Sequence, residues 1–205
     1  MKYYIYISDA KVDMLLPQVP HDVQKKVSTD FGFDMKILKA TRKTEAESDD
    51  TRISRLEAVL SFIREYGKVG SVDKPDDYID DTQAMWFGPF VPADIAYFTG
   101  RTDRTIFGLS GSAHHLMGGD PNKSRWPNRT SLLNIFAWLS EQNPSHDGDG
   151  MTAIPALEDI AANSKRPKQT LEFLAKRLVY EPHFKWKDKV VQVLLATPLY
   201  VAMTD

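Results

Sequence analysis

An α+β fold, a mainly antiparallel sheet of five to six strands with helices packed chiefly on one face, is predicted by three features of the sequence. The N-terminus and residues 83–110 are patterned as short strands broken by glycine and proline. Residues 51–66 carry apolar side chains at helical spacing. Near the C-terminus the run VVQVLLATPLYVA has the composition of a strand buried on both faces. With 205 residues the chain can build one sizeable core, so 1–205 is read as a single domain.

Residues 3–8 are aromatic and β-branched, with Tyr3, Ile5 and Ile7 on one face and Tyr4, Tyr6 and Ser8 on the other. Bulk on both faces predicts a central strand. Ser8 and Asp9 suit the start of a short helix over 9–16. After Pro17 and Pro20, Val23, Val27 and Phe31 recur at helical spacing and predict a second helix over 21–31. Residues 33–40 alternate as a half-buried strand, and the charged run 41–50 reads as a solvated loop. The helix over 51–66 has Ile53, Leu56, Leu60 and Ile63 on one stripe, and Gly67 or Gly70 can end it.

An acidic loop, 71–81, separates this helix from three strands, 83–87, 95–99 and 105–110, whose short links predict an antiparallel meander. Further helices are expected over 130–142, 156–162 and 168–180, the last two introduced by Pro155 and Pro167. In the helix over 168–180, Leu171, Leu174, Ala175 and Leu178 form the expected buried stripe. The chain then enters the apolar strand 189–202, where Thr197-Pro198 should force a bend or a break.

Charge and composition narrow the function classes. Twenty-six basic and 28 acidic residues leave a formal charge of -2, so no whole-protein field draws the chain to nucleic acid or to an anionic membrane, and a nucleic-acid partner is not expected. The absence of cysteine excludes a thiolate nucleophile and cysteine-ligated metal. A metal would need His and carboxylate ligands, but no H-E-x-x-H or H-x-x-x-H spacing occurs, and no metal or other cofactor is expected. The N-terminus lacks the apolar core of a signal peptide and no run is long enough to span a bilayer, so the chain is read as cytoplasmic with no membrane partner.

The stretch TIFGLSGSAHHLMGG, residues 105–119, is the most suggestive of a site. Its glycines allow close backbone approach at a strand end, and Ser110 and Ser112 add hydroxyls. A nucleophile elbow requires G-x-S-x-G, and here glycine follows Ser110 by one residue rather than two. Adjacent His114 and His115 point in different directions, so at most one should face a site. The aspartates of 71–81 could bind a cation, but a solvated loop is the simpler reading. Trp126 beside Lys123 and Arg125, and Trp186 between Lys185 and Lys187, are the basic-aromatic clusters.

The segments YYIYISDAKVDMLLPQ, GSVDKPDDY, MWFG, GLSGSAHH, FLAKRL and LLATPLYVA together resemble a family of uncharacterised bacterial proteins of about this length. The resemblance spans nearly the whole chain. It implies no activity, but it groups Ser8, Asp9, Lys11 and Asp13 with Ser112 and His115 as one recurring set. In the family pattern a glycine stands where Ser110 does, so the resemblance favours Ser112 and His115 over Ser110.

The resulting expectation is a ligand-binding, sensor-like domain. A small anionic or nucleotide-like molecule would sit at a strand-end pocket formed by Ser8, Asp9, Lys11, Ser112, His115 and Arg125. One alternative is a hydrolase or phosphodiesterase with His115 as general acid or base and Ser112 as the accompanying candidate. Another is an interaction module that meets a protein partner, or a second copy of itself, through exposed aromatics.

Overall fold

A computed structural model describes residues 2–31, 49–90, 95–118, 150–163 and 167–204. The expected strand 33–40, nearly all of the loop 41–50 and the helix 130–142 lie outside these residues. So do Arg125, Trp126 and His146. The described chain forms two compact units, Met1–Ile7 with Gly70–Asp205, and Ser8–Val69.

The first unit is built on strands. These are β1 (Lys2–Ile7), β2 (Val69–Gly70), β3 (Tyr78–Phe90), β4 (Ile95–Arg101), β5 (Thr105–Ser112), β6 (Gln169–Trp186) and β7 (Lys189–Thr204). They form one seven-stranded sheet in the order β1-β7-β5-β4-β3-β2, with β6 pairing both β3 and β7. The predicted meander β3-β4-β5 is antiparallel, as its short links require. The sheet as a whole is mixed, because β5 runs parallel to β7, Thr105 opposite Gln192 through Leu109 opposite Ala196. A parallel pair needs a long crossover, and residues 113–188 supply it.

These pairings return to their starting point. β3 pairs β4, β4 pairs β5, β5 pairs β7, β7 pairs β6, and β6 pairs β3. Five strands therefore close on themselves, which satisfies the backbone groups that an open sheet edge would expose. Closure relies on the length of β6 and β7, 18 and 16 residues, and on three register shifts between them. Bulges of this kind increase local twist and bend the strand.

Alternate residues fill the interior: Met85 from β3, Ala96 and Phe98 from β4, Phe107 and Leu109 from β5, Phe173 from β6, and Leu194 and Ala196 from β7. Small alanines leave room for stacked rings, Phe107 on Phe173 at 6.2 Å and Phe87 on Phe98 at 5.7 Å. On the outer face Ile106, Val193 and Leu195 pack with Ile154 of a helix, which we return to below.

Three expectations are corrected. Residues 168–180 belong to strand β6, not to a helix. The spacing of Leu171, Leu174 and Leu178 mimics a helical stripe because both faces of β6 are buried at Leu171, Phe173 and Leu174, and the strand then bulges between Arg177 and Val179. Leu178 is the extra residue of that bulge and is exposed. Strand β1 is not central but ends the strand order, paired antiparallel to β7. Its two bulky faces have separate uses, Tyr6 in the interior cluster and Tyr4 edge-on to Tyr200 at 5.8 Å. Finally, Pro198 does not interrupt β7. Its neighbour Leu199 is bulged out between the pairs Leu174–Tyr200 and Ala175–Pro198, so the bend is absorbed within the strand.

The second unit is helical: α1 (Asp9–Leu15), a 3-10 turn (Leu16–Gln18), α2 (His21–Phe31) and α3 (Asp49–Tyr66). All three helices follow their predicted positions. Leu56, Val59, Leu60 and Ile63 bury the stripe of α3, which packs against α1, α2 and the 3-10 turn. Gly67 ends α3 by donating its N–H to the Ile63 carbonyl at 2.7 Å. The remaining helix, α4 (Ala153–Asn163), contains the predicted 156–162 and belongs to the first unit, where it lies against β4, β5 and β7.

Candidate functional site

Strand alternation divides β4 and β5 into an inner face, carrying Ala96, Phe98, Phe107 and Leu109, and an outer face. The outer face presents Ile95, Tyr97, Thr99 and Arg101 on β4, and Ile106, Gly108, Ser110 and Ser112 on β5. Register places Tyr97 opposite Ser110 and Thr99 opposite Gly108. Gly108 is required here by close approach: a Cβ at this position would fall on the Tyr97 hydroxyl oxygen. The tyrosine thus leans diagonally across the two strands with its hydroxyl over the Gly108 backbone. The neighbouring Thr99 hydroxyl is tied down, donating to the Phe107 carbonyl at 3.0 Å.

Helix α4 adds the remaining group. Ile154, Leu157 and Glu158 fall on one buried stripe, and Glu158 is completely inaccessible. A carboxylate in that position is expensive to bury unless it is paired. It forms an ion pair with Arg101, Nη1 3.6 Å from Oε2, without hydrogen-bond geometry. Burial pushes the Glu158 carboxyl above its ordinary pKa, Arg101 and Lys168 pull it back, Asp159 raises it, and Lys187 lowers it. Burial likewise raises the Tyr97 phenol, with Thr99 partly offsetting the effect and the Glu158 charge adding to it.

Among the described residues, four buried polar atoms in this region have no hydrogen-bond partner: the Tyr97 hydroxyl, the Ser110 hydroxyl and both Glu158 carboxylate oxygens. Buried polar groups in folded proteins are overwhelmingly satisfied, so such a concentration on one face asks for a reason.

The residues singled out in the sequence have definite places. Ser112 ends β5 and caps the 3-10 turn Ala113–His115, accepting from the His114 N–H at 3.3 Å. The His115 ring packs edge-on against Tyr6 at 5.8 Å, and the Tyr6 hydroxyl lies where a side chain on Gly111 would project. Ser8, Asp9 and Lys11 belong to the helical unit. There the Ser8 Oγ accepts from the Lys11 Nζ at 3.2 Å. Asp9 receives a two-pronged contact from Arg52, Nε to Oδ1 at 2.7 Å and Nη2 to Oδ2 at 2.8 Å, and Arg55 pairs with Asp13. The Asp9 carboxylate is therefore already occupied by a cation. Burial lowers the Lys11 ammonium to about 8.

The acidic segment is equally committed. Asp73 accepts the Thr102 and Thr105 hydroxyls at 2.6 and 2.7 Å, and Asp81 accepts the Val72 N–H at 2.8 Å. Trp186 donates to Asp159 at 3.3 Å, and Lys187 pairs with the same carboxylate at 2.8 Å. No group of three or more His, Asp or Glu side chains arranged to hold a metal ion occurs among the described residues. No described helix is long and apolar enough to cross a membrane.

Sequence reasoning missed Tyr97, Arg101 and Glu158. Glu158 had a signal, since a lone glutamate inside the apolar stripe of α4 is out of place on a buried face. Tyr97 had none, because an aromatic residue in a strand is ordinary.

The comparison with known families matches the sequence from end to end. The chain belongs to DUF7019, a family of unknown function, whose model covers residues 2–205. The barrel strands, the β4–β5 outer face and the Ser8–Lys11 pair all fall within the DUF7019 match. No curated protein and no solved structure matches the chain.

Proposed function

We propose that this DUF7019 chain is a ligand-binding domain whose site is the polar outer face of β4 and β5 beneath α4, and that its ligand is a small anionic or nucleotide-like molecule. The reading rests on four buried polar atoms, of Tyr97, Ser110 and Glu158, that have no hydrogen-bond partner among the described residues. A nucleotide-like ligand complements them. Sugar hydroxyls or base N–H groups donate to the Glu158 carboxylate, while the Tyr97 and Ser110 hydroxyls serve as donors or acceptors. Arg101, Lys168 and Lys187, the cations whose charge acts on Glu158, are suited to a phosphate at the rim. Ser112, on the same face of β5 two residues beyond Ser110, extends the line of hydroxyls toward the end of the strand.

The test is a thermal-shift screen with nucleosides, nucleotides and phosphorylated metabolites, followed by calorimetry on any hit. A bound ligand raises the melting temperature by mass action. Tyr97→Phe and Glu158→Gln should each weaken that binding tenfold or more, about 1.4 kcal/mol, without lowering the stability of the unliganded protein. A flat screen, or hits whose affinity ignores both substitutions, would count against the site.

A further inference from the structure

Helix α4 covers one face of the barrel, packing on β4, β5 and β7 with Ile154 and Leu157 buried beneath it, while Ile160 on its other side is 59% exposed. One residue breaks the buried stripe. Glu158 is 0% exposed, and neither of its carboxylate oxygens has a hydrogen-bond partner among the described residues. The elements around the helix offer that carboxyl little. From β4 come the Tyr97 phenol and the Arg101 guanidinium, the latter 44% exposed and 3.6 Å away. The other two strands bring Ile106 and the Ser110 hydroxyl from β5, and Val193 and Leu195 from β7, while the 3-10 turn Gly150–Thr152 brings Met151. Three further charges act on Glu158 from a distance, and all have other partners: Lys168 lies over the Trp86 ring at 4.1 Å, and Lys187 pairs with Asp159 at 2.8 Å.

A carboxyl group in such surroundings is tolerated as the neutral acid but not as the anion, because an ion taken out of water is stabilised only by hydrogen bonds and close opposite charge. We propose that α4 is a pH-operated cover over the β4–β5 outer face, docked while Glu158 holds its proton and released when the carboxyl ionises. Burial raises the Glu158 carboxyl above its ordinary range, against the pull of Arg101. The docked state therefore keeps a proton that the open state, with the carboxyl in water, gives up. The open fraction rises with pH from the ordinary carboxylate range and levels off above the docked pKa.

What the cover opens onto rests on the ligand-binding reading. Lifting α4 uncovers the Tyr97 and Ser110 hydroxyls and gives a ligand a way in to a face that is otherwise closed. An ionised Glu158 then requires donors. A ligand that supplies N–H or O–H groups to it restores the helix to the sheet, so the charge that opens the cover is also the group that recognises the guest.

Hydrogen–deuterium exchange of the full chain, read by mass spectrometry on peptides over 153–163 and corrected for the pH dependence of chemical exchange, measures the opening. From about pH 4 to neutrality α4 should lose protection by up to about tenfold per pH unit, the limit for one proton, while peptides of β4 and β7 keep theirs. Glu158→Gln holds the same shape without ionising, so its α4 protection should not vary with pH. Glu158→Leu should behave alike, and it serves where the glutamine variant folds poorly. Protection of α4 that ignores pH in the unmodified protein, a pH dependence that survives both substitutions, or α4 and barrel peptides losing protection together would each overturn the device. No ligand enters the measurement. A flat ligand screen beside a pH-dependent α4 therefore removes the ligand and keeps the cover, and ligand binding beside a pH-independent α4 does the reverse.

Discussion

Replacing Tyr97 by phenylalanine should stabilise the unliganded protein. The substitution removes one oxygen and keeps the buried ring, so no apolar contact is lost. The hydroxyl it removes is buried and has no hydrogen-bond partner among the described residues. An unsatisfied buried hydroxyl costs about 1–3 kcal/mol, the part of its hydration that nothing in the fold replaces. Stability should therefore rise by about 1–2 kcal/mol, which in a chain of this size shifts the melting temperature upward by roughly 2–8 °C. Urea unfolding monitored by circular dichroism measures the change, and an unaltered m-value shows that the native state, not the denatured one, was affected. The ligand-bound protein should respond in the opposite sense, because the bound molecule loses a partner. A Tyr97→Phe protein destabilised by 1 kcal/mol or more would show that the hydroxyl is satisfied in the apo protein and would remove the main support for the site.

Gly108→Ala should destabilise by about 1–3 kcal/mol through overpacking against the Tyr97 hydroxyl, and the same substitution in a Tyr97→Leu background should cost clearly less in a double-mutant cycle. Glu158 titrates above its unfolded value, so it holds a proton that the unfolded chain releases, and stability should fall as pH rises from the ordinary carboxylate range through its folded pKa. Glu158→Gln should flatten that slope in urea titrations taken upward from the ordinary carboxylate range, about pH 4. Lys11 behaves oppositely, since the folded state gives up its proton near pH 8 while the unfolded state keeps it to about 10.5. Stability should rise between those values by at most about 3 kcal/mol, and Lys11→Met should abolish the rise.

Much of the architecture was legible in the sequence, and the exceptions share a cause. The helices α1, α2, α3 and α4 were legible from capping residues, prolines and apolar residues at helical spacing, and local patterns of this kind are what a sequence displays. So was the meander, since its links are too short for anything but antiparallel neighbours. Strand β6 was misread because both of its faces are buried around Leu171–Leu174 and a bulge follows at Leu178, so Leu171, Leu174 and Leu178 imitate a helical repeat. The parallel contact of β5 with β7 joins residues more than 80 positions apart and leaves no local trace.

The candidate site divides in the same way. Ser112 stood out in the sequence as a hydroxyl at a strand end, and the Ser8–Lys11 contact is a matter of one helical turn. Local chemistry and local spacing suffice for such features.

The sequence by itself determined the helical unit, the meander, the buried final strand and the family, because these depend on near-neighbour periodicity and on residue types in order. Only the tertiary structure decided that five strands close into a barrel and that α4 docks against β4 and β5 with Glu158 buried. Burying a carboxylate and two hydroxyls together is a consequence of barrel closure and helix docking, and a linear pattern of apolar and polar residues does not encode which distant faces will meet.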